Sequence, residues 1–345
     1  MANYEIIDGV AILPEGIEMI EDGAFKYCKE LKRVVIPQWV RRIGKDAFWG
    51  CENLEVVELP EWLEDIGKAA FWGCSSLKEL TLPQWVKRIE DWAFNDCSSL
   101  QNLSIPSSVT SYIGDSAFRD CSSLLNLSIP SSVTHIGDRA FHDCSSLQNL
   151  SIPSSVTHIG SGAFSRCSSL ICIKVDSNNP VYDSREDCNA IIHTESNTLI
   201  RGCSNTIIPP SVTSIGEDAF GNCTSLTQIS LPPSVTSIRE DAFSGCKSLT
   251  QISLPPSVTS IGSLAFSFCP SLTHISLPPS VTSIGWQAFS GCTSLTHISL
   301  PPSVTSIGER AFSGCTSLTL VKVSKNTELA ESAFWGCPKV KIERY

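Results

Sequence analysis

The sequence is short of positive charge, of methionine and of long apolar runs. Its 25 Lys and Arg stand against 35 Asp and Glu, a formal net charge of -10, so the cationic footprint of a nucleic-acid binder is missing and nucleic acid is not an expected partner. No uninterrupted apolar stretch approaches the roughly 20 residues of a membrane-spanning helix, which predicts no such span. The first residues, MANYEIIDGVAILPEG, carry acidic side chains and lack the basic start and apolar core of a secretion signal. As written, the chain is therefore expected to be cytoplasmic or a mature fragment. No glycine-rich phosphate loop, paired-carboxylate cleft or Ser, His and Asp set stands out, because serine is a filler and the acids vary along the chain. The expected class is non-enzymatic, with no cofactor and no metal.

Repetition is abundant. The unit reads most cleanly from Leu277 to Ser299, LPPSVTSIGWQAFSGCTSLTHIS. Its apolar positions follow neither a helical period of 3.6 nor a strand period of 2 throughout, so one copy has no single face to bury and needs neighbours. The dipeptide Ala-Phe followed three residues later by Cys recurs at Cys28, Cys51, Cys74, Cys97, Cys121, Cys144, Cys167, Cys223, Cys246, Cys269, Cys292, Cys315 and Cys337. The spacing is 23 residues almost throughout, with single steps of 24, 56 and 22. A fixed period in this range marks a solenoid, whose core exists only between stacked coils.

Within a coil, L-x-x-I-x-L followed by proline predicts a short strand, since proline cannot donate to a ladder. Stacked copies form a parallel sheet with strands about 4.8 Å apart. Pro-Ser-Val-Thr-Ser-Ile-Gly then turns the chain, and the segment around Ala-Phe reads as a turn of helix or 3₁₀ with Phe filling the coil. The 13 cysteines at one repeat position read as buried core thiols, with disulfides between adjacent rungs and metal binding as the alternatives.

The whole pattern, L-x-x-I-x-[IL]-P-x-x-[VL]-x-x-I-G-x-x-A-F-x-x-C over about Leu13 to Tyr345, resembles the leucine-rich repeats of the Bacteroides surface protein A (BspA)-like family. The resemblance implies a leucine-rich-repeat solenoid, β-rich within the α/β class, wound right-handed with a concave parallel sheet. Short helical turns or irregular segments would form the convex side, with one inserted β-hairpin. It also implies a surface protein associated with adhesion, and hence a cell-surface or secreted location as the alternative to the cytoplasm.

In order, residues 1–12 are expected to form a cap and 13–174 seven repeats, the first four dense in Trp and charge; from Met1 to Cys97 there are 18 acidic and 11 basic residues. Residues 175–207 form the inserted hairpin, with strands Cys188 to His193 and Thr198 to Cys203. Counting back from His193 opposite Thr198 places Cys188 opposite Cys203, a possible disulfide in an oxidising compartment. Those two with Cys172 and His193 could be read as zinc ligands, but they lack the close spacing of a structural site. Residues 208–322 are five near-identical repeats, and 323–345 a shorter, charged capping repeat that would complete the chain at this end.

The expected function is non-catalytic protein binding by a scaffold or adhesin, with an unidentified protein ligand. The alternative is a structural spacer or assembly unit with no specific ligand on the concave face. Candidate binding residues on the strands are Asn102, Asn126, Asn149, Gln228, Gln251, His274 and His297, which stacking would arrange in columns. Candidates at the variable places around Ala-Phe are Trp49, Trp72 and Trp286, large side chains on a frame that otherwise hardly changes. The oligomeric state is not encoded in any pattern of this kind.

Overall fold

The computed structural model describes residues 4–345. It divides into two compact units, one running to Cys167 and taking in Val175–Val181, the other comprising Ser168–Lys174 and Tyr182–Tyr345. Each unit is a stack of parallel strands and turns.

In the first unit, Glu5–Ile7 folds back antiparallel on Val10–Ile12, which pairs parallel with Arg33–Val35 of the next coil. Residues 5–12 thus form a hairpin whose second strand joins the ladder, and the first three residues of the expected cap lie outside the described residues. Further along, Glu79–Thr81, Asn102–Ser104 and Asn126–Ser128 pair in register, residue for residue. A second ladder of seven short strands climbs the same unit from Met19–Ile20 to His158–Ile159. The strands alternate exposed, buried, exposed, as in Arg33–Val35 and Asn102–Ser104, because period 2 places the flanking side chains on the opposite face from the central one.

The segment around Ala-Phe is built from turns and is not helical. In the coil containing Phe48, the N–H groups of Ala47, Trp49 and Cys51 bond back to the carbonyls of Gly44, Asp46 and Phe48 at 3.4, 3.1 and 3.1 Å. The intervening N–H groups of Asp46, Phe48 and Gly50 reach the carbonyls of Lys68, Ala70 and Trp72 in the next coil at 3.0, 2.7 and 2.7 Å. Two left-handed residues, Asp46 at φ 55° and Gly50 at φ 73°, produce this alternation. A helix directs every N–H along its own chain; here every second one is given to a neighbour, which closes the third side of the stack. Among the described residues the one 3₁₀ element is Arg185–Asp187.

The phenylalanines of these turns stack into a column. From Phe25 to Phe164 their ring centroids are 5.0 to 5.5 Å apart and their planes within 7° of parallel. Tyr4 closes the column on Phe25 at 5.0 Å. The cysteines follow alongside, and from Cys51 to Cys167 the thiol at the repeat position donates to the carbonyl of the preceding coil's Phe, as Cys51 does to Phe25 at 3.0 Å and Cys144 to Phe118 at 3.3 Å. All 16 cysteines are free, and of the 13 at the repeat position all but the half-buried Cys28 are buried. Burial pushes Cys51 and Cys269 up to about 12, which keeps them protonated and poorly nucleophilic.

The second unit opens with the inserted segment. Tyr182–Asp183, Ala190–His193 and Thr198–Gly202 run antiparallel to one another, and Thr198–Gly202 then pairs parallel with Ser214–Ile215. The hairpin therefore takes the place of a coil at the start of a nine-stranded ladder ending at Glu328–Leu329. A second Phe column runs from Phe220 to Phe334 at 5.1 to 5.4 Å. It begins at Gly202, where a Cβ would lie 2.3 Å from the Phe220 ring, so only glycine lets the hairpin backbone cover that ring. Buried Arg201 secures the joint, donating from Nη1 to the carbonyls of Asp218 and Gly221 at 3.0 and 3.2 Å.

His193 does face Thr198, but a bulge between Ile191 and Ile192 pairs Ile191 with Arg201 and Ala190 with Gly202. This one-residue slip carries Cys188 past Cys203, correcting the expected pairing. The Cys203 thiol instead contacts the Asn189 carbonyl at 3.5 Å, and both thiols are free and buried.

Tight stacking makes two substitutions diagnostic. At Gly137, a Cβ would meet the Asp115 backbone nitrogen at 2.7 Å and the Gly114 carbonyl carbon at 2.8 Å, so Gly137→Ala should cost about 1–3 kcal/mol by overpacking. Phe141→Ala, by opening the ring column, should cost about 3–5 kcal/mol. Urea unfolding at equilibrium checks both; unchanged midpoints would show that the coils are not in the contact described.

Candidate functional site

The solvent face of the strand ladders is where side chains from successive coils are brought into line. In the first unit Asn102 sits directly beside Asn126, and Asn149 occupies the same exposed place in its own strand. In the second unit Gln228, Gln251 and His274 are adjacent in register, as are Ser230, Ser253 and Ser276. The rings of His274 and His297 lie 5.6 Å apart. The strand candidates therefore form two aligned sets, one in each unit.

Gln228, Gln251 and His274 line an open groove of about 840 Å³ whose end is formed by Thr206, Ile207 and Ile208. Ile207 is 76% exposed and was not among the sequence candidates. Its signal was available, since Thr-Ile-Ile-Pro-Pro aligns with Ile-Ser-Leu-Pro-Pro of the later coils and puts isoleucine where they carry serine.

The turn-side candidates behave differently. Trp49 and Trp72 are half-buried and stack on each other at 4.7 Å with their planes 3° apart. Lys26 Nζ lies 3.8 Å from the Trp49 ring centroid, so this stack is held by cation–π and ring contacts within the molecule. Trp286 is 44% exposed on the turn side of the second unit. A separate row of exposed tryptophans, Trp39, Trp62 and Trp85, stands just after the proline that ends each strand of the early coils.

His135 and His158 are also paired across adjacent strands, with rings 5.6 Å apart. Thr134 donates its hydroxyl proton to the Ser111 carbonyl at 3.0 Å, so at 2.8 Å it can only accept from His135 Nδ1.

Among the described residues, one group of three potential ligands comes together, Asp120, His142 and Asp143, with ligand atoms within 4.8 Å of one another. Cys172, Cys188, Cys203 and His193 do not form such a group. Arg119 already pairs with Asp120 at 3.1 Å. Burial, reinforced by Arg119 and Arg166, holds His142 down at about 4, while burial and the Asp120 charge raise Asp143. His142 Nδ1 is buried without a hydrogen-bond partner. The cluster combines one ion-paired carboxylate, Asp120, with a second carboxylate and a neutral imidazole, and the surrounding guanidinium groups oppose a bound cation.

The comparisons with known proteins bear on this frame. The family model described as the BspA type leucine rich repeat region matches residues 10–112, 94–186 and 213–341. The chain belongs to the BspA-type leucine-rich-repeat family. A leucine rich cell surface protein from Faecalibacterium prausnitzii is 32% identical, with 95% of this chain and 83% of that one covered and a TM-score of 0.77. A leucine-rich repeat protein from Bacteroides ovatus is 27% identical over 99% of this chain and 98% of that one, with a TM-score of 0.62. The pneumococcal vaccine antigen PcpA, at 23% identity, 91% and 69% coverage and a TM-score of 0.58, shares the fold. No curated protein matches the chain. BspA-type repeats are scaffolds, generally non-enzymatic, and no helix among the described residues is long and apolar enough to cross a membrane.

His142 gives the cluster a pH signature. Its native value, about 4, lies below the roughly 6.5 of an unfolded histidine, so the unfolded chain binds the extra proton between these values. Stability from this group is complete above about pH 6.5 and falls as pH drops toward 4. Unfolding free energies measured across that window should show a shallower acid-side slope in His142→Asn than in the parent chain. Equal slopes would mean that the imidazole is not desolvated as described.

Proposed function

We propose that the chain is a non-catalytic scaffold that binds a protein ligand through the solvent face of its strand ladders, in the manner of an adhesin. The observation that carries this reading is the register of Gln228, Gln251 and His274 along one open groove. Three neighbouring coils there present amide, amide and imidazole groups at one repeated place on a backbone that hardly changes. Such a row offers donors and acceptors to an extended polar partner with little entropy left to lose in the receptor. The cell-surface description of the Faecalibacterium relative supports an extracellular setting. The uniformity of the later coils favours the second reading, a spacer whose coils only hold other parts apart.

One variant separates the two. Replacing Gln228, Gln251, His274 and His297 together by alanine removes exposed side chains only, so the melting temperature should stay within about 2 °C. Retention of the labelled protein on epithelial cells or immobilised matrix proteins should fall at least tenfold, a loss of about 1.4 kcal/mol. Undiminished retention would remove the Gln and His row from the account and favour the spacer.

A further inference from the structure

The early coils of the first unit carry a different surface from the polar columns. We infer that the groove across strands Val56–Glu58 and Glu79–Thr81 docks an extended, arginine- and lysine-bearing segment of a partner protein. This rests on the protein-binding reading above and names the chemistry of one partner.

The groove, about 800 Å³ and open to solvent, is lined by Glu55, Glu58, Glu61 and Glu79, with Lys78 as its one basic residue. Glu58 is paired with Arg33. Among the described residues Glu55, Glu61 and Glu79 have no basic side chain within ion-pairing distance, and all three are exposed. The groove therefore holds negative charge that the fold does not neutralise, whereas neighbouring charges on the same coils are matched, Lys87 to Glu64 and Arg88 to Asp65. This uncompensated charge opposes an anionic ligand and attracts a cationic one.

The groove also has an apolar wall. Val56 is 41% exposed on a strand and Trp85 is 47% exposed at its edge, its ring tilted by 33° against Trp62 at 5.2 Å. Apolar surface interleaved with carboxylates suits the long methylene stems of arginine and lysine, which pack on such surface while the charged heads reach the acids. The molecule already contains one such contact: the Arg41 guanidinium carbon lies 5.6 Å from the Trp62 ring centroid. Val56–Glu58 and Glu79–Thr81 are the end strands of two separate ladders, the first paired with Arg33–Val35 and the second with Asn102–Ser104, so the groove runs between two parallel ladder edges and the ligand that fits along them is extended.

A fluorescent peptide alternating arginine and serine, titrated against the full chain at low ionic strength and followed by polarisation, tests the inference. The triple variant Glu55→Gln, Glu61→Gln, Glu79→Gln should weaken binding about tenfold, three surface charges at roughly 0.5 kcal/mol each. A charge-matched control, Glu217→Gln, Glu240→Gln, Glu309→Gln on exposed turns of the second unit, should bind within about twofold of the parent, the size of change expected for surface substitutions outside a binding site. Trp85→Ala should cost a further several-fold, and a glutamate–serine peptide should not bind. Equal weakening by the two triple variants would reduce the effect to net charge and overturn the proposal, as would equal binding of the acidic peptide. Self-association of the free protein that the groove variant abolishes would assign the groove to a second copy, again overturning it. Failure here with surface retention still sensitive to the Gln and His columns would leave the general binding reading intact.

Discussion

The constraint on which the structure depends is the alternating hydrogen-bond pattern of the Ala-Phe turns. Each of these segments satisfies half its N–H groups internally and offers the other half to the next coil, so an isolated coil would carry donors with no partner. The Phe48 N–H to Ala70 carbonyl bond at 2.7 Å and the Phe289 N–H to Ala311 carbonyl bond at 2.7 Å show the same link in each unit. That bond fixes the rise from coil to coil, and the rise fixes the ring spacing of the Phe columns. The rest follows: glycine where a coil passes over its neighbour's backbone, as at Gly137 and Gly285, and cysteine where a small side chain can give a weak second bond to the Phe carbonyl.

A frame held this way releases its solvent face from structural duty. The buried residue of each strand and the prolines and small residues of the corners maintain the stack, and the exposed neighbours vary without disturbing it. Variation does occur there: Arg, Val and Glu in the early coils, Asn and Ser in the middle, Gln, His and Ser in the later ones. One backbone carries a charged, aromatic region and two neutral polar rows. This separation of framework from surface is the physical basis for reading the chain as a recognition scaffold.

Much of the fold was legible because one position in the repeat always performs the same task. Phe, Cys and Leu recurred together, and coils stacked on that register had to bury them together; Phe266, Cys269 and Leu272 are all fully buried. The conformation of the turns was not legible. Its left-handed positions are filled by Asp46, Trp92, Leu264 and Phe268 as readily as by glycine, so the usual glycine signal was absent. The hairpin pairing was off by one residue because a bulge leaves no mark in a stretch as uniform as Ala-Ile-Ile-His. Of the candidate site, the strand columns followed from the repeat alone, since a parallel register preserves position. Trp49 and Trp72 were variable and large, which resembles a contact surface, but stacking had already given them partners inside the molecule. The groove charges near Glu55 and Glu79 were readable only after salt bridges showed which acids were matched.

The most direct test of the account is amide hydrogen exchange resolved to single residues in the turns. Phe48, Phe71, Phe118, Phe243 and Phe289 donate to the next coil, and their amides should exchange only on global or sub-global opening, at rates near those of the strand amides of Leu103 and Ile252. Exchange of these Phe amides at the rates of exposed turns, with the strand amides still protected, would contradict the claim that the turn ladder joins the coils.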